Sequence, residues 1–259
     1  MQKITELQLW QLAAAYLFIL GLLALVKSKG LSREKEIMLA AVRMTLQLVL
    51  TGYLLAFLFE RRHPFLSVLA VLIMLAFAID NIIKRVRRPL SPQIKTVIAL
   101  SMTVGTITCL LFFLLAVFSL SPWYEPRYFI PIAGMLIGNS MTGISLGVNR
   151  LAEGMYTQKD LVETALMLGA TPKAASKTIV DSAFDAAILP TMNAMVGMGI
   201  VFLPGMMTGQ ILAGASPVTA IQYQIAIMLG ITGSVALTVL LFVQLGYKTF
   251  FNQEQQLRL

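Results

Sequence analysis

The chain has 259 residues, 58% of them hydrophobic and only 12% charged, with a mean hydropathy of +0.80. A soluble domain carries about 25% charged residues to cover its surface, so most of this surface must face lipid and a soluble enzyme is excluded. The formal net charge of +8 does not indicate a nucleic-acid binder, because the basic residues sit between apolar runs and not on one polar face.

Apolar stretches run at about Leu7–Val26, Ile37–Phe59, Phe65–Ile83, Lys95–Phe118, Phe129–Val148, Ala186–Leu203 and Gln222–Leu245. Each approaches the ~20 residues a helix needs to cross the hydrocarbon. No stretch alternates as a barrel strand does, so backbone satisfaction in lipid requires helices. The pattern predicts an all-α integral membrane protein with seven spans in a single domain over residues 1–259. Pro204–Ala220 is rich in Gly and Pro and too broken for an eighth span; it reads as an external loop or a re-entrant turn. One cysteine (Cys109) and one histidine (His63) exclude a disulfide framework and a Cys/His metal cluster.

Lys and Arg set the expected orientation. With the N-terminus outside, the inner segments hold fifteen basic residues: Lys27, Lys29, Arg33, Lys35, Lys84, Arg85, Arg87, Arg88, Lys95, Arg150, Lys159, Lys173, Lys177, Lys248 and Arg258. The outer segments hold four: Lys3, Arg61, Arg62 and Arg127. That bias predicts an N-out, C-in arrangement. No small-residue cleavage pattern precedes Lys27, so the first span is expected to be retained and not removed as a signal peptide.

One inner segment, residues 150–185, is about 36 residues long and contains almost all the polar mass of the chain. Tyr156 to Leu168 is expected to be helical, with Leu161, Ala165 and Leu168 on one face. Gly169 suits the end of that helix, Thr171 an N-cap and Pro172 the first position of the next. The expectation is helix, sharp corner, helix; the plain alternative is a loop lying on the lipid surface.

Glu163-Thr-Ala-Leu-Met-Leu-Gly-Ala-Thr-Pro172 resembles the cytoplasmic coupling loop of ABC-transporter permeases. Glu163, Ala165 and Gly169 fall at that loop's spacing and Ile179 falls at a later apolar position, whereas Thr164 and Ser182 depart from it. Beyond the loop, the chain resembles the FetB-type permeases of ABC exporters, which include plant aluminium-tolerance half-transporters. The similarity covers roughly residues 43–224. It rests on Ile130-Pro-Ile-Ala-Gly-Met135 with Gly138-Asn-Ser-Met141, on Leu168-Gly-Ala-Thr-Pro172, on Leu203-Pro-Gly-Met-Met-Thr-Gly209, and on Gly214, Pro217 and Ala220-Ile-Gln-Tyr-Gln-Ile225. What it implies is ATP-driven export of iron or a related metal across the bacterial inner membrane. It also implies two copies of the chain and an ATPase-coupling corner made of Glu163, Ala165, Leu168, Gly169, Ala170, Thr171 and Pro172. No Walker A loop is present: Thr171 and Ser176 occupy the glycine positions before Lys177-Thr178. No cofactor is therefore expected on this chain; ATP and Mg belong on a separate ATP-binding subunit.

Candidate path residues are Pro131, Gly134, Gly138, Asn139 and Ser140 on the fifth span, Pro190 and Asn193 on the sixth, and Pro204 and Gly205 beyond it. Gly134 and Gly138 form a G-x-x-x-G pair, which suits close helix packing within one subunit or at a dimer seam. Asn139 and Ser140 need partners in lipid, either interhelical hydrogen bonds or a polar path. Acidic residues inside spans are costly, about 3 kcal/mol at the bilayer centre. Asp80 is expected to pair with Lys84. Asp181 and Asp185, at i and i+4, either collect metal at an inner mouth or pair with Arg150 or Lys177, and pairing is favoured. Arg43 and Gln47 share a face of the second span and are expected to point inward. Met192, Met195 and Met198 recur every three residues, a pattern that suits apolar gap filling better than a soft-metal site. A self-powered secondary transporter is the rival reading, yet the chain shows no evident internal repeat and its acids sit near the span ends. An intramembrane serine protease would need a base near its nucleophile, and His63 lies far from Ser140 in the sequence.

Overall fold

The computed structural model describes residues 8–86 and 88–258; Lys3, Leu7 and Arg87, named above, lie outside the described residues. The helices are α1 (Leu9–Ala15), α2 (Leu17–Ser28), α3 (Glu34–Arg61), α4 (Pro64–Arg85), α5 (Pro92–Phe112), α6 (Pro126–Thr157), α7 (Lys159–Met167), α8 (Pro172–Ala175), α9 (Lys177–Gly197), α10 (Gly205–Leu212) and α11 (Pro217–Gly246). A π-helical turn, Phe113–Val117, extends α5, and a 3₁₀ turn, Tyr247–Phe250, follows α11. No strand occurs among the described residues, only two isolated bridges. The protein is an all-α integral membrane protein.

Helix starts follow their caps. Ser91 accepts from the Ile94 N–H and Ser216 from the Thr219 N–H, each with proline at the first helical position. The lone histidine, His63, does the same for α4, its Nδ1 accepting from the Phe65 N–H at 3.2 Å.

The chain divides into two compact units. One holds α1–α3 and Leu212–Gly214. Its hairpin is joined where Tyr16, between α1 and α2, hydrogen-bonds Thr45 of α3. Arg43 and Gln47 are exposed on α3, so the inward orientation expected of them is not what that unit shows.

The second unit, His63–Ile211 with Ala215–Leu259, is the packed bundle. Small residues set its contacts. A Cβ at Gly105 of α5 would meet the Thr238 backbone of α11 at 2.9 Å, and one at Gly230 of α11 would meet the Phe113 ring at 2.7 Å. These pairs run α5 antiparallel to α11. In the same way Gly143 and Gly154 of α6 lie against Ala187 and Ile179 of α9, which makes α6 and α9 antiparallel. Gly143 also lies against Val235 and Gly246 against Leu151, so α6 and α11 run parallel.

Six helical stretches are long and apolar enough to cross a membrane: Leu9–Ser28, Glu34–Arg61, Pro64–Arg85, Pro92–Val117, Pro126–Thr157 and Pro217–Phe250. The predicted span Ala186–Leu203 is not among them. Its helix begins earlier, at Lys177, and ends at Gly197, so it takes in Asp181 and Asp185 and loses the apolar run from Val201 to Leu203. Nevertheless α9, 21 residues long, spans about 31 Å and runs back between the parallel α6 and α11. Protein packed along Ile179, Val180, Ala183, Ala187 and Thr191 takes the place of lipid on that face. Past Gly197 the chain makes a loop and the 8-residue α10, too short to cross.

Candidate functional site

The corner between α7 and α9 forms as its residues dictate. Gly169 has φ +89, and two bonds close α7: the Ala170 N–H to the Ala165 carbonyl at 3.0 Å and the Gly169 N–H to the Leu166 carbonyl at 2.9 Å. This is a Schellman ending, which needs a left-handed residue where glycine stands. Thr171 then caps α8, accepting from the Ala174 N–H at 3.3 Å, with Pro172 as its first residue. The predicted helix Tyr156–Leu168 is divided, because Tyr156 belongs to the end of α6 and α7 starts at Lys159.

Val162 is the buried residue of α7. Leu161, Met167 and Leu168 point away from the bundle, Met167 85% and Leu168 83% exposed. Charged Lys159, Asp160 and Glu163 surround them, and Lys159 lies 3.6 Å from Glu163. An α6 of 32 residues is about 48 Å long, well beyond the ~30 Å hydrocarbon. Leu161, Met167 and Leu168 are thus exposed apolar side chains at the corner.

Within the bundle the path candidates separate. Ser140 is fully buried and shares a 2.9 Å hydrogen bond with Ser234 of α11, the interhelical alternative of the two expected for it. Gly134 packs inside the chain, since a Cβ there would meet Met74 at 3.0 Å, while Gly138 has nothing within 4 Å. Pro131, Asn139 and Thr142 are exposed on the outer face of α6, and Pro190 and Asn193 on that of α9. Asn139 donates from Nδ2 to the Met135 carbonyl at 2.8 Å; the Asn193 side chain makes no hydrogen bond among the described residues. Pro204 and Gly205 mark the start of α10, away from this face in sequence.

Of the three aspartates singled out above, two are tied to neighbours. Asp80 accepts from Lys84 at 2.7 Å, and Asp181 from Lys177 at 2.9 Å. Asp185 is exposed and has no ion pair among the described residues, and Arg150 Nε donates to Ser182 Oγ at 2.9 Å. Among the described residues no three His, Cys, Asp or Glu side chains gather as a metal site.

Sequence reasoning did not anticipate the α9–α11 seam. There Gln224 Nε2 lies 3.6 Å from the Met198 sulfur and donates to it, and Thr232 Oγ1 donates to the Met195 sulfur at 3.2 Å. Gln224, Met228 and Thr232 recur every four residues, which was the available signal for one polar-edged face.

Several curated proteins are similar to this chain along nearly its whole length. The UPF0014 membrane protein YjkA of Bacillus subtilis is 38% identical, covering 95% of this chain and 97% of its own. Protein ALUMINUM SENSITIVE 3 of Arabidopsis thaliana is 38% identical, covering 95% of this chain and 88% of its own. The protein named "Probable iron export permease protein FetB" of Escherichia coli is 32% identical, covering 95% and 93%. No solved structure matches. A family profile described as "Uncharacterised protein family (UPF0014)" matches residues 9–251, and the chain belongs to that family of multi-pass membrane proteins.

Proposed function

We propose that this chain is the membrane subunit of an ATP-driven exporter of iron or a related metal, acting as a homodimer with two copies of a separate ATP-binding subunit. The permease class is supported by its relatives, one of which bears the name of an iron export permease. The observation that carries the coupling role is the exposure of the apolar Leu161, Met167 and Leu168 at a Schellman corner, which in this reading stands outside the membrane. An exposed apolar cluster outside the membrane fits a protein cleft. The corner is joined to α6 through Gln158 and to α9 through Ser176, so a push on it moves both helices.

In this reading the Thr157 end of α6 is cytoplasmic, the N-terminus faces outward, and the whole chain acts as one permease domain in the bacterial inner membrane. ATP and Mg bind the partner subunit. Asp185, without an ion pair among the described residues, is the one carboxylate of the two at this mouth that is open to a passing cation.

The test is ATP hydrolysis by a co-expressed ATP-binding subunit in liposomes, with and without this chain, while iron and other divalent ions are titrated. Co-purification and metal-stimulated hydrolysis support the reading. Association without any metal effect removes the substrate. Flux that follows a proton gradient with no ATPase bound overturns it in favour of a secondary transporter.

A further inference from the structure

Asn139 and Asn193 stand at one level of the bundle. The antiparallel register sets Gly143 against Ala187, so one turn further along, Asn139 comes level with about residue 191. Asn193 is two positions on, roughly 3 Å along the axis. Both side chains are exposed, and this level lies midway along the apolar stretch of α6 between Phe129 and Val148. Among the described residues the Asn193 side chain has no hydrogen bond, and that of Asn139 uses only its Nδ2. Thr142 continues the face of Asn139 and bonds only its own helix, at the Gly138 carbonyl. On α9, Pro190 has no N–H, so the Ala186 carbonyl loses its helical donor on the flank that carries Asn193. Lipid at mid-bilayer can satisfy none of these groups.

We infer that this face of α6 and α9 meets the same face of a second copy, and that two Asn139 and two Asn193 side chains form a ring of amides at mid-membrane that the cargo contacts. The inference rests on the homodimer proposed above and names its seam and its central site. Amides both donate and accept, so a two-fold axis can pair this face with itself, which a face of one charge cannot do. Gly138, with open space where a Cβ would stand, lets the second backbone approach closely. The ring carries no charge. It suits a metal held in its own oxygen shell, hydrated or complexed, which is bound by hydrogen bonds and released easily.

The experiment uses the transporter assembled with its ATP-binding subunit in native membranes. Cys109→Ala removes the single cysteine. Asn193→Cys and, as a control on an exposed position of α11, Leu229→Cys are then treated with a short bismaleimide, and copy number is measured separately by native mass spectrometry. The expected result is a cross-linked dimer from Asn193→Cys and none from Leu229→Cys. Two copies with the cross-link only at Leu229→Cys would overturn the seam and leave the homodimer standing; one copy would overturn both. Metal efflux should fall about tenfold in Asn193→Leu, the effect of losing about 1.4 kcal/mol of contact to the passing cargo, and recover in Asn193→Gln. Undiminished efflux in Asn139→Leu/Asn193→Leu, with the dimer cross-link retained through a cysteine at Val196, would remove the amides from the path.

Discussion

Ser140 of α6 and Ser234 of α11 share a 2.9 Å hydrogen bond with both side chains fully buried, a polar clasp between two parallel helices in the middle of the bundle. Buried bonds of this kind between membrane helices contribute about 0.6 kcal/mol on average and at most ~1.7. Ser140→Ala should lower the melting temperature in detergent, because Ser234 is left without its partner. The double variant Ser140→Ala/Ser234→Ala should lose less than the sum of the two single changes, and additivity would dismiss the clasp.

Gly105 is a contact of backbone with backbone. A Cβ there meets Thr238 Cγ2, its Cα at 2.9 Å and its N at 3.0 Å, and the backbone atoms cannot rotate aside. Gly105→Ala should destabilise the α5–α11 pair by about 1–3 kcal/mol, the usual range for overpacking. Gly52 of α3, with nothing within 4 Å, should accept alanine without loss. Thermal unfolding of both variants in one detergent makes the comparison.

Met167 and Leu168 are expected to act in docking and not in folding, since they are 85% and 83% exposed. Leu168→Asp should leave membrane insertion and melting temperature unchanged but weaken retention of the ATP-binding subunit about tenfold or more in pull-down, as hot-spot residues commonly do. Gly169→Val acts differently. It strains the φ +89 position, and should disorder the corner itself, read as faster proteolysis between α7 and α8.

The ion pairs Lys84–Asp80 and Lys177–Asp181 lie on exposed helix surfaces at i, i+4. Pairs of this type contribute about 0.3–0.5 kcal/mol. Asp80→Asn should therefore change neither stability nor efflux measurably. Asp185→Asn, which removes a carboxylate with no ion pair among the described residues at the same end as Asp181, should reduce efflux at low metal concentration and less at high concentration. Equal loss for Asp181→Asn and Asp185→Asn would show that pairing with Lys177 does not distinguish them.

Features governed by neighbours in the chain were legible without a fold. Apolar runs long enough to cross gave six of the seven segments, and Gly169, Thr171 and Pro172 gave the corner, because a left-handed ending and a proline start are local backbone matters. The register of α9 was not legible. Asp181, Asp185 and Asn193 make it too polar to stand out beside its neighbours, and it is helical along its length because α6 and α11 cover its inner face. The adjacent path candidates Asn139 and Ser140 could not be told apart either, since one residue of rotation, about 100°, separates the outer face from the core.

The sequence by itself determined that this protein lives in a membrane as helices, since lipid accepts no other way of satisfying the backbone of so apolar a chain. It also determined where the chain turns sharply, at Gly169 and Pro172. Only the tertiary structure decided which side of each helix is inside: Ser140 against Ser234, Gly134 against Met74, Asn139 and Asn193 outward. In a soluble protein the contrast of apolar and polar residues marks the inner face. Here lipid and core are equally apolar, so the inner face is set by close packing of small residues and by the few polar groups that need partners.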